Sequence, residues 1–322
     1  MWLVNLRAAT RYSSTGRAIR AVKPSRNGRY FHDRFRTMNA DSEVSLQTEN
    51  GWAILPSSLK RPDGKPRFHL SFPTHYGTDV GAVHLVASEA RHGYEPPTRN
   101  LIERTLRRGD LFLDVGAHWG FFTLQAASHP AGDVDVVAFE PELMNATILT
   151  ENVVRNNMAN AVTVICAACG DQFGLAPLVT NSTMGHRISG ADFRFSGTAP
   201  SKWVSIVALD GALKSLQKPV DRRIILKIDA EGFEPNVIAG ANGLLQAGRV
   251  ALLIWECGGA FAEPRRRGAM MAMVTFLSDC GFRHFRPPDN YTAGSLTEFD
   301  AASEYVGNVF SCGPQLAEEL AA

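Results

Sequence analysis

The chain has 322 residues, 45% of them hydrophobic and 20% charged, with a formal net charge of +1. This is the composition of an ordinary globular protein with room for one large domain or two small ones, and its charge offers no overall field to attract nucleic acid. No apolar run approaches the ~20 residues of a membrane span, and five irregularly spaced cysteines exclude a regular disulfide framework and fit a reducing cytoplasm.

Residues 1–36 carry nine Lys and Arg against one acid, Asp33. An acid-poor, Arg- and Ser-bearing start can be an organelle-targeting segment, but a flexible tail, or a translation start at Met38, is the plainer expectation. The chain stays polar and basic to about residue 70, so 1–70 reads as a flexible basic extension and 71–315 as the folded domain. Asp79-Val80-Gly81-Ala82 resembles a cofactor turn, yet no apolar strand precedes it and no glycine follows at the needed spacing. It is read as a decoy.

Residues 111–124, L-F-L-D-V-G-A-H-W-G-F-F-T-L, run from a strand through a glycine turn into a helix. Gly116 and Gly120 would let the backbone pass close to a ligand. Such a turn at the carboxyl end of a parallel strand is where open α/β sheets bind nucleotide-like cofactors. The pattern is D-x-G-A-x-x-G rather than G-x-G-x-x-G. Asp114 is a poor neighbour for a pyrophosphate and a good acceptor for an ammonium, which favours S-adenosylmethionine over NAD. His118, inside the turn, is either a base near the reacting centre or a side chain turned to solvent or cofactor. Near-continuous apolar runs at 111–115, 134–139, 162–166, 224–228 and 250–255 predict strands buried on both faces of a parallel sheet. Helices are predicted at 121–128, 142–157, 210–216 and 235–246, with Asp210 as an N-cap. The alternation describes a doubly wound sheet. Glu140 ends the second strand, placed to accept ribose hydroxyls; the alternative is a solvated carboxylate heading the next helix.

Strands are also predicted at 175–180 and 203–207, and the Gly/Ser/Thr-rich stretch 181–197 between them is expected to overlie the cofactor edge. Cys166 and Cys169 read as buried small hydrophobes. In I-I-L-K-I-D-A-E-G-F-E (224–234), Lys227 and Asp229 share a strand face and Glu231 continues into the loop. Such groups are costly to bury without partners, so they are expected to line the cleft; a Lys–Asp pair with helix-capping acids is the alternative. Glu256, ending the next strand, adds a carboxylate to that rim. Asp229 and Glu256 could share a divalent cation, but two acids do not define a metal site, and none is assigned. A helix at 270–280 and strands at 282–285 and 305–311 predict an antiparallel finish.

Taken together, L-F-L-D-V-G-A-H-W-G-F-F-T-L, V-V-A-F-E-P, L-K-I-D-A-E-G-F-E-P-N-V-I-A-G-A and L-L-I-W-E resemble, in order and spacing, the FkbM family of S-adenosylmethionine-dependent methyltransferases. Tyr94-Glu95-Pro96, Glu151-Asn152, Asn156-Asn157 and Leu209-Asp210 add to the likeness, which runs from about residue 77 to 313. It implies an α/β fold of the Rossmann-like class I type, a mostly parallel seven-stranded sheet with helices on both faces. It implies that Asp114, Gly116, Ala117, His118 and Gly120 line the methionine side of S-adenosylmethionine, that Glu140 holds the ribose, and that Asp171 is an adenine-side contact. Asp229, Glu231 and Glu234 fall on the family's acidic string. His118 stands where asparagine is more usual. The implied reaction is methyl transfer, expected on a hydroxyl of a small molecule or glycan, with no nucleic-acid partner. A hydroxyl needs a base to take its proton; Asp229 is the first candidate, then Glu231, then His118. The rivals are an NAD(P)-dependent oxidoreductase, against which the absent G-x-G-x-x-G counts, and a non-catalytic binding domain, against which the intact glycines and acids count.

Overall fold

A computed structural model describes residues 19–20, 34–37, 44–179, 186–188, 201–219, 221–258, 261, 264–287 and 296–321. Three short strands, β1 (Ile19–Arg20), β2 (Arg34–Thr37) and β3 (Val44–Ser45), pair antiparallel. A second antiparallel meander follows: β4 (Gln47–Glu49), β5 (Trp52–Pro56) and β6 (His69–Pro73). Asn50 and Gly51, both at positive φ, make the two-residue turn between β4 and β5 that the right-handed twist of a hairpin favours. Ala53, Leu55, Leu70 and Phe72 are buried, and the Phe72 ring stacks on Trp119 at 5.0 Å. The flexible extension expected to residue 70 is therefore corrected for residues 46–70, which contribute to the core. Their apolar positions alternate in runs too short to stand out from the polar loop between β5 and β6.

Asp79, the decoy, caps α1 (Val80–Arg91) by accepting the N–H groups of Gly81 and Ala82. Next come α2 (Pro96–Thr105), β7 (Leu111–Val115), α3 (Phe121–Ala127), β8 (Asp135–Phe139), α4 (Leu143–Arg155) and β9 (Val162–Ile165). A small sheet is built from β10 (Ala168–Cys169), β11 (Gly174–Val179), β12 (Arg187–Ile188) and β13 (Ser201–Val207). The chain continues through α5 (Leu209–Ser215), β14 (Ile224–Ile228), α6 (Glu234–Ala239), α7 (Asn242–Gln246) and β15 (Val250–Cys257). It closes with α8 (Pro264–Asp279), β16 (Arg283–Arg286), β17 (Thr297–Glu298), β18 (Gly307–Cys312) and α9 (Pro314–Ala321).

The main sheet has the order β17-β16-β18-β15-β14-β7-β8-β9. The five strands from β15 to β9 are parallel, and β18 runs antiparallel to both its neighbours. Eight strands stand where seven were expected, the additional one being the two-residue edge strand β17. Alternate residues of β7 and β14 feed separate cores: Phe112 and Ile225 on one face, Leu111, Leu113, Ile224 and Leu226 on the other. Burial on both faces explains their near-continuous apolar character, broken only by Asp114 and Lys227.

Three local readings are corrected. Ala208, not Asp210, occupies the N-cap of α5; the Asp210 carboxylate instead accepts the N–H groups of Gly243 (2.7 Å) and Leu244 (3.1 Å), capping α7. The single helix expected over 235–246 is two, α6 and α7, broken at Gly240–Ala241. A Cβ on Gly240 would lie 1.9 Å from the Gly170 carbonyl oxygen, so the backbones meet there. Cys169 is buried as expected, but Cys166 is exposed.

Candidate active site

The carboxyl ends of β7, β8 and β14 open onto a cleft lined by Val115, Gly116, Phe139, Glu140 and Asp229 among others. Gly116 (φ 77°) starts its floor, and its N–H and that of Ala117 both donate to the Phe139 carbonyl, locking the glycine turn to β8. A Cβ on Gly116 would sit 1.9 Å from the Asp229 carbonyl oxygen, and one on Gly120 would sit 2.2 Å from Leu149 Cδ1. Packing against the Asp229 backbone thus requires glycine at 116, and the φ of 89° favours it at 120, where the Leu149 methyl is the movable end of a side chain. Gly116 also lines both cavities, and Gly120 is not among the residues lining either.

Glu140 is 4% exposed at the end of β8. Its Oε2 accepts the His118 N–H at 2.8 Å and its Oε1 the Glu142 N–H at 2.9 Å. Burial pushes its carboxyl up to about 7, against the opposing pull of those two N–H groups. Glu142 in turn caps α4 through the Asn145 N–H and pairs with Lys202. Asn145 accepts from the indole N–H of Trp119 at 3.0 Å. This chain of bonds makes a rigid wall at the position expected for a ribose. His118 has φ 51°, and its ring stacks on Trp119 at 4.6 Å, so it forms cleft wall. Phe139, Ala167, Ala168, Cys169 and Phe233 give the cleft an apolar lining near Glu140, to which Leu178, His186 and Ile188 also contribute. Of the stretch 181–197, only 186–188 fall among the described residues. Asp171 is exposed and is not among the residues lining this cleft or its neighbour.

A second, smaller cavity adjoins the first across Gly116, His118 and Asp229; Tyr94, Asp114, Phe122 and Lys227 also line it. Asp114 is 1% exposed, and its Oδ2 accepts the Thr123 hydroxyl at 2.6 Å. Its Oδ1 is buried with no hydrogen-bond partner among the described residues. Burial raises the Asp114 carboxyl above its ordinary range, with Lys227 pulling the other way. Lys227 is 3% exposed, lies 3.2 Å from Asp229 Oδ2 and sits 4.8 Å over the Phe122 ring. Burial works against its charge, but Asp229, Glu95 and Asp114 outweigh that and hold its ammonium above the ordinary lysine value. The Lys–Asp pair weighed from sequence is therefore real, and it sits on the cleft rather than at a sheet edge.

Glu95 precedes α2 with φ 41°, and its Oε2 accepts from Asn308 Nδ2 at 2.7 Å. Glu256 stands opposite Asn308 in the β15–β18 ladder. Burial and the charges of Asp229, Glu231 and Glu234 push the Glu256 carboxyl up to about 8. Asp229, Glu231 and Glu256 bring one oxygen each within 4.8 Å of one another. Three half-buried carboxylates alone do not define a cation site. Glu234 Oε1 accepts the N–H groups of Ala230 and Gly232, which makes this buried acid a clamp on the loop after β14.

The sequence reading gave Lys227 no role of its own and passed over Asn145. The lysine's signal was present in K-I-D, since an ammonium inside an apolar strand needs carboxylates around it; Asn145 carries no signal short of the fold.

S-adenosylmethionine, which carries a ribose, a sulfonium and an amino-acid ammonium, fits these residues. Glu140 lines the larger cavity and Asp114, with its unpartnered Oδ1, the smaller, and no Lys or Arg is found among the described residues of the larger cleft.

The profile of the methyltransferase FkbM domain matches residues 114–284, just over half of the chain. The protein belongs to the FkbM methyltransferase family. Among solved structures, this FkbM chain is similar to the methyltransferase FkbM from Methylobacillus flagellatus KT, at 14% identity and a TM-score of 0.41, over 67% of this chain and 50% of that one. It therefore spans half the length of that relative. It is also similar to the O-methyltransferase from Bacillus cereus in complex with SAH (15% identity, TM-score 0.40, 72% of this chain and 84% of that one). A third is a SAM-dependent O-methyltransferase from Thermotoga maritima (11% identity, TM-score 0.37, 84% of this chain and 89% of that one). A comparison with curated protein sequences gives no significant match. The fold is that of the Rossmann-like class I methyltransferases, and among the described residues no helix is long and apolar enough to cross a membrane.

Proposed function

We propose that this FkbM protein binds S-adenosylmethionine in the paired cavities and transfers its methyl group to a hydroxyl oxygen of a small molecule or glycan. The observation that carries this reading is the pair of buried acids in two adjoining cavities, Glu140 lining the larger and Asp114, whose Oδ1 has no partner among the described residues, lining the smaller. Bound there, the cofactor would supply a methyl carbon on a positively charged sulfur. Glu140 accepts the ribose hydroxyls, Asp114 accepts the ammonium, and the apolar lining of Phe139, Ala168 and Phe233 takes the adenine.

Charge is neutralised in such a transfer, so alignment contributes more than electrostatic stabilisation. The proton of the acceptor hydroxyl still has to leave. Asp229 and Glu231 are the proposed proton acceptors on the rim, and Glu256 stands beside them. His118 serves as wall.

Calorimetric titration tests the cofactor reading: S-adenosylhomocysteine should bind and NAD should not. Binding of NAD with no binding of S-adenosylhomocysteine would overturn it. A screen of hydroxyl-bearing glycans and small molecules with methyl-labelled S-adenosylmethionine then tests the acceptor class.

A further inference from the structure

The reading above leaves Lys227 without a task, although it is a buried charge held by Asp229 and the Phe122 ring. It sits on the middle strand of the sheet, in register with Asp114 on β7, and reaches Asp229 at 3.2 Å. Phe122 lies beneath its ammonium, and Lys227, Asp114 and Asp229 all line the smaller cavity. The charged and titratable groups around it come from every neighbouring element. Tyr94 and Glu95 lie between α1 and α2, Asp114 on β7 and His118 in the glycine turn, while Asp229 follows β14 and Glu256 ends β15.

We infer that Lys227 is a positioning residue for the cofactor, whose task is to keep Asp114 ionised so that the free Oδ1 can receive the ammonium of the cofactor's amino-acid end. This rests on the S-adenosylmethionine reading. An isolated carboxylate as buried as Asp114 takes up a proton rather than stay charged. Burial already moves Asp114 in that direction, and the Lys227 charge is the largest influence opposing it. A protonated Asp114 would lose the charge-assisted part of its bond to an ammonium, the larger part of such a bond's strength. The lysine itself need not touch the cofactor. Its own charge is held by Asp229, Glu95 and Asp114, so the cavity keeps an excess of negative charge suited to a cation.

The test compares two nucleosides that share adenine and ribose. S-adenosylhomocysteine has the amino-acid end, and 5′-methylthioadenosine lacks it. Each is titrated calorimetrically into the full-length protein between about pH 6 and about pH 8.5. In Lys227→Met, affinity for S-adenosylhomocysteine at neutral pH should fall roughly tenfold or more below wild type, the value of about one pKa unit, and this deficit relative to wild type at the same pH should recover as pH rises. Affinity for 5′-methylthioadenosine should stay within about twofold, which also shows that the variant is folded. Asp114→Asn should lose the preference for S-adenosylhomocysteine at every pH. The double variant should bind no worse than Asp114→Asn, because the two changes remove one interaction. Lys227→Arg should restore much of the preference, and Lys227→Gln carries the expectations of the methionine variant should that one fail to fold. An equal fall for both nucleosides, a fall without pH recovery, or a further loss in the double variant would overturn the proposal. Wild-type protein that binds neither nucleoside overturns the methyltransferase reading as well.

Discussion

Glu140 Oε2 accepts the backbone N–H of His118 at 2.8 Å, so the acid at the end of β8 and the left-handed residue of the glycine turn are one unit. The bond holds His118 at φ 51° and aims the remaining lone pairs of the carboxylate into the cleft. Positive φ is uncommon for a side chain of this size, and strain of that kind collects at functional sites.

A pH dependence follows from that unit. Ribose hydroxyls donate to an ionised carboxylate, and the Glu140 carboxyl is pushed up to about 7. Binding of S-adenosylhomocysteine should strengthen as pH rises through about 7 and release protons below it. Calorimetry in buffers of different ionisation enthalpy measures the release. Glu140→Gln should bind more weakly at high pH and show neither effect.

The same shift has the opposite sign for the stability of the free protein. The folded value of Glu140, about 7, lies above the ordinary 4.5. Its contribution is fully present below 4.5 and is lost as pH rises through 7. The Glu140→Gln protein should therefore show a thermal midpoint that declines less than the wild type's between about pH 5 and pH 8. Parallel curves would show that Glu140 does not titrate there.

Gly116→Ala should be among the most destabilising small substitutions. The residue has φ 77°, and the added carbon would stand 1.9 Å from the Asp229 carbonyl oxygen. Left-handed strain alone costs about 1 kcal/mol, and separating β7 from β14 at their carboxyl ends adds to it. Chemical denaturation should give a loss above about 2 kcal/mol, with weakened S-adenosylhomocysteine binding.

Asp229→Asn should leave S-adenosylhomocysteine affinity within a few-fold of wild type and lower turnover on an acceptor by about 100-fold or more, the usual worth of a general base. Unchanged turnover would remove Asp229 from the reaction and leave Glu231 as the next rim carboxylate able to take a proton.

Two structural predictions need no ligand. Phe72→Ala removes a fully buried ring stacked on Trp119, and should cost about 3–5 kcal/mol. That result would show that the meander β4–β6 is integral to the domain; a loss below about 1 kcal/mol would make it dispensable. Asp210→Ala should cost about 1 kcal/mol through the cap it provides to α7.

The amino-acid sequence by itself determined the central sheet, because strands buried on both faces are apolar at nearly every position, as 111–115 and 224–228 are apart from Asp114 and Lys227. It also determined the family, through the glycine turn and the K-I-D-A-E-G string. It could place Glu140 at a strand end for the same reason: a charged residue closing an apolar run marks the edge of the core. Tertiary structure alone decided the partners. That Lys227 faces Asp114 depends on the register between β14 and β7, and that Asp210 caps α7 depends on α5 and α7 lying side by side. Gly116 is a glycine because of the carbonyl of Asp229, a residue 113 positions later in the sequence. Contacts between residues so far apart are settled by how strands and helices stack, which no local pattern encodes. For that reason the cleft's outline was legible from residue types, while its charge balance, with one lysine among several buried acids, was not.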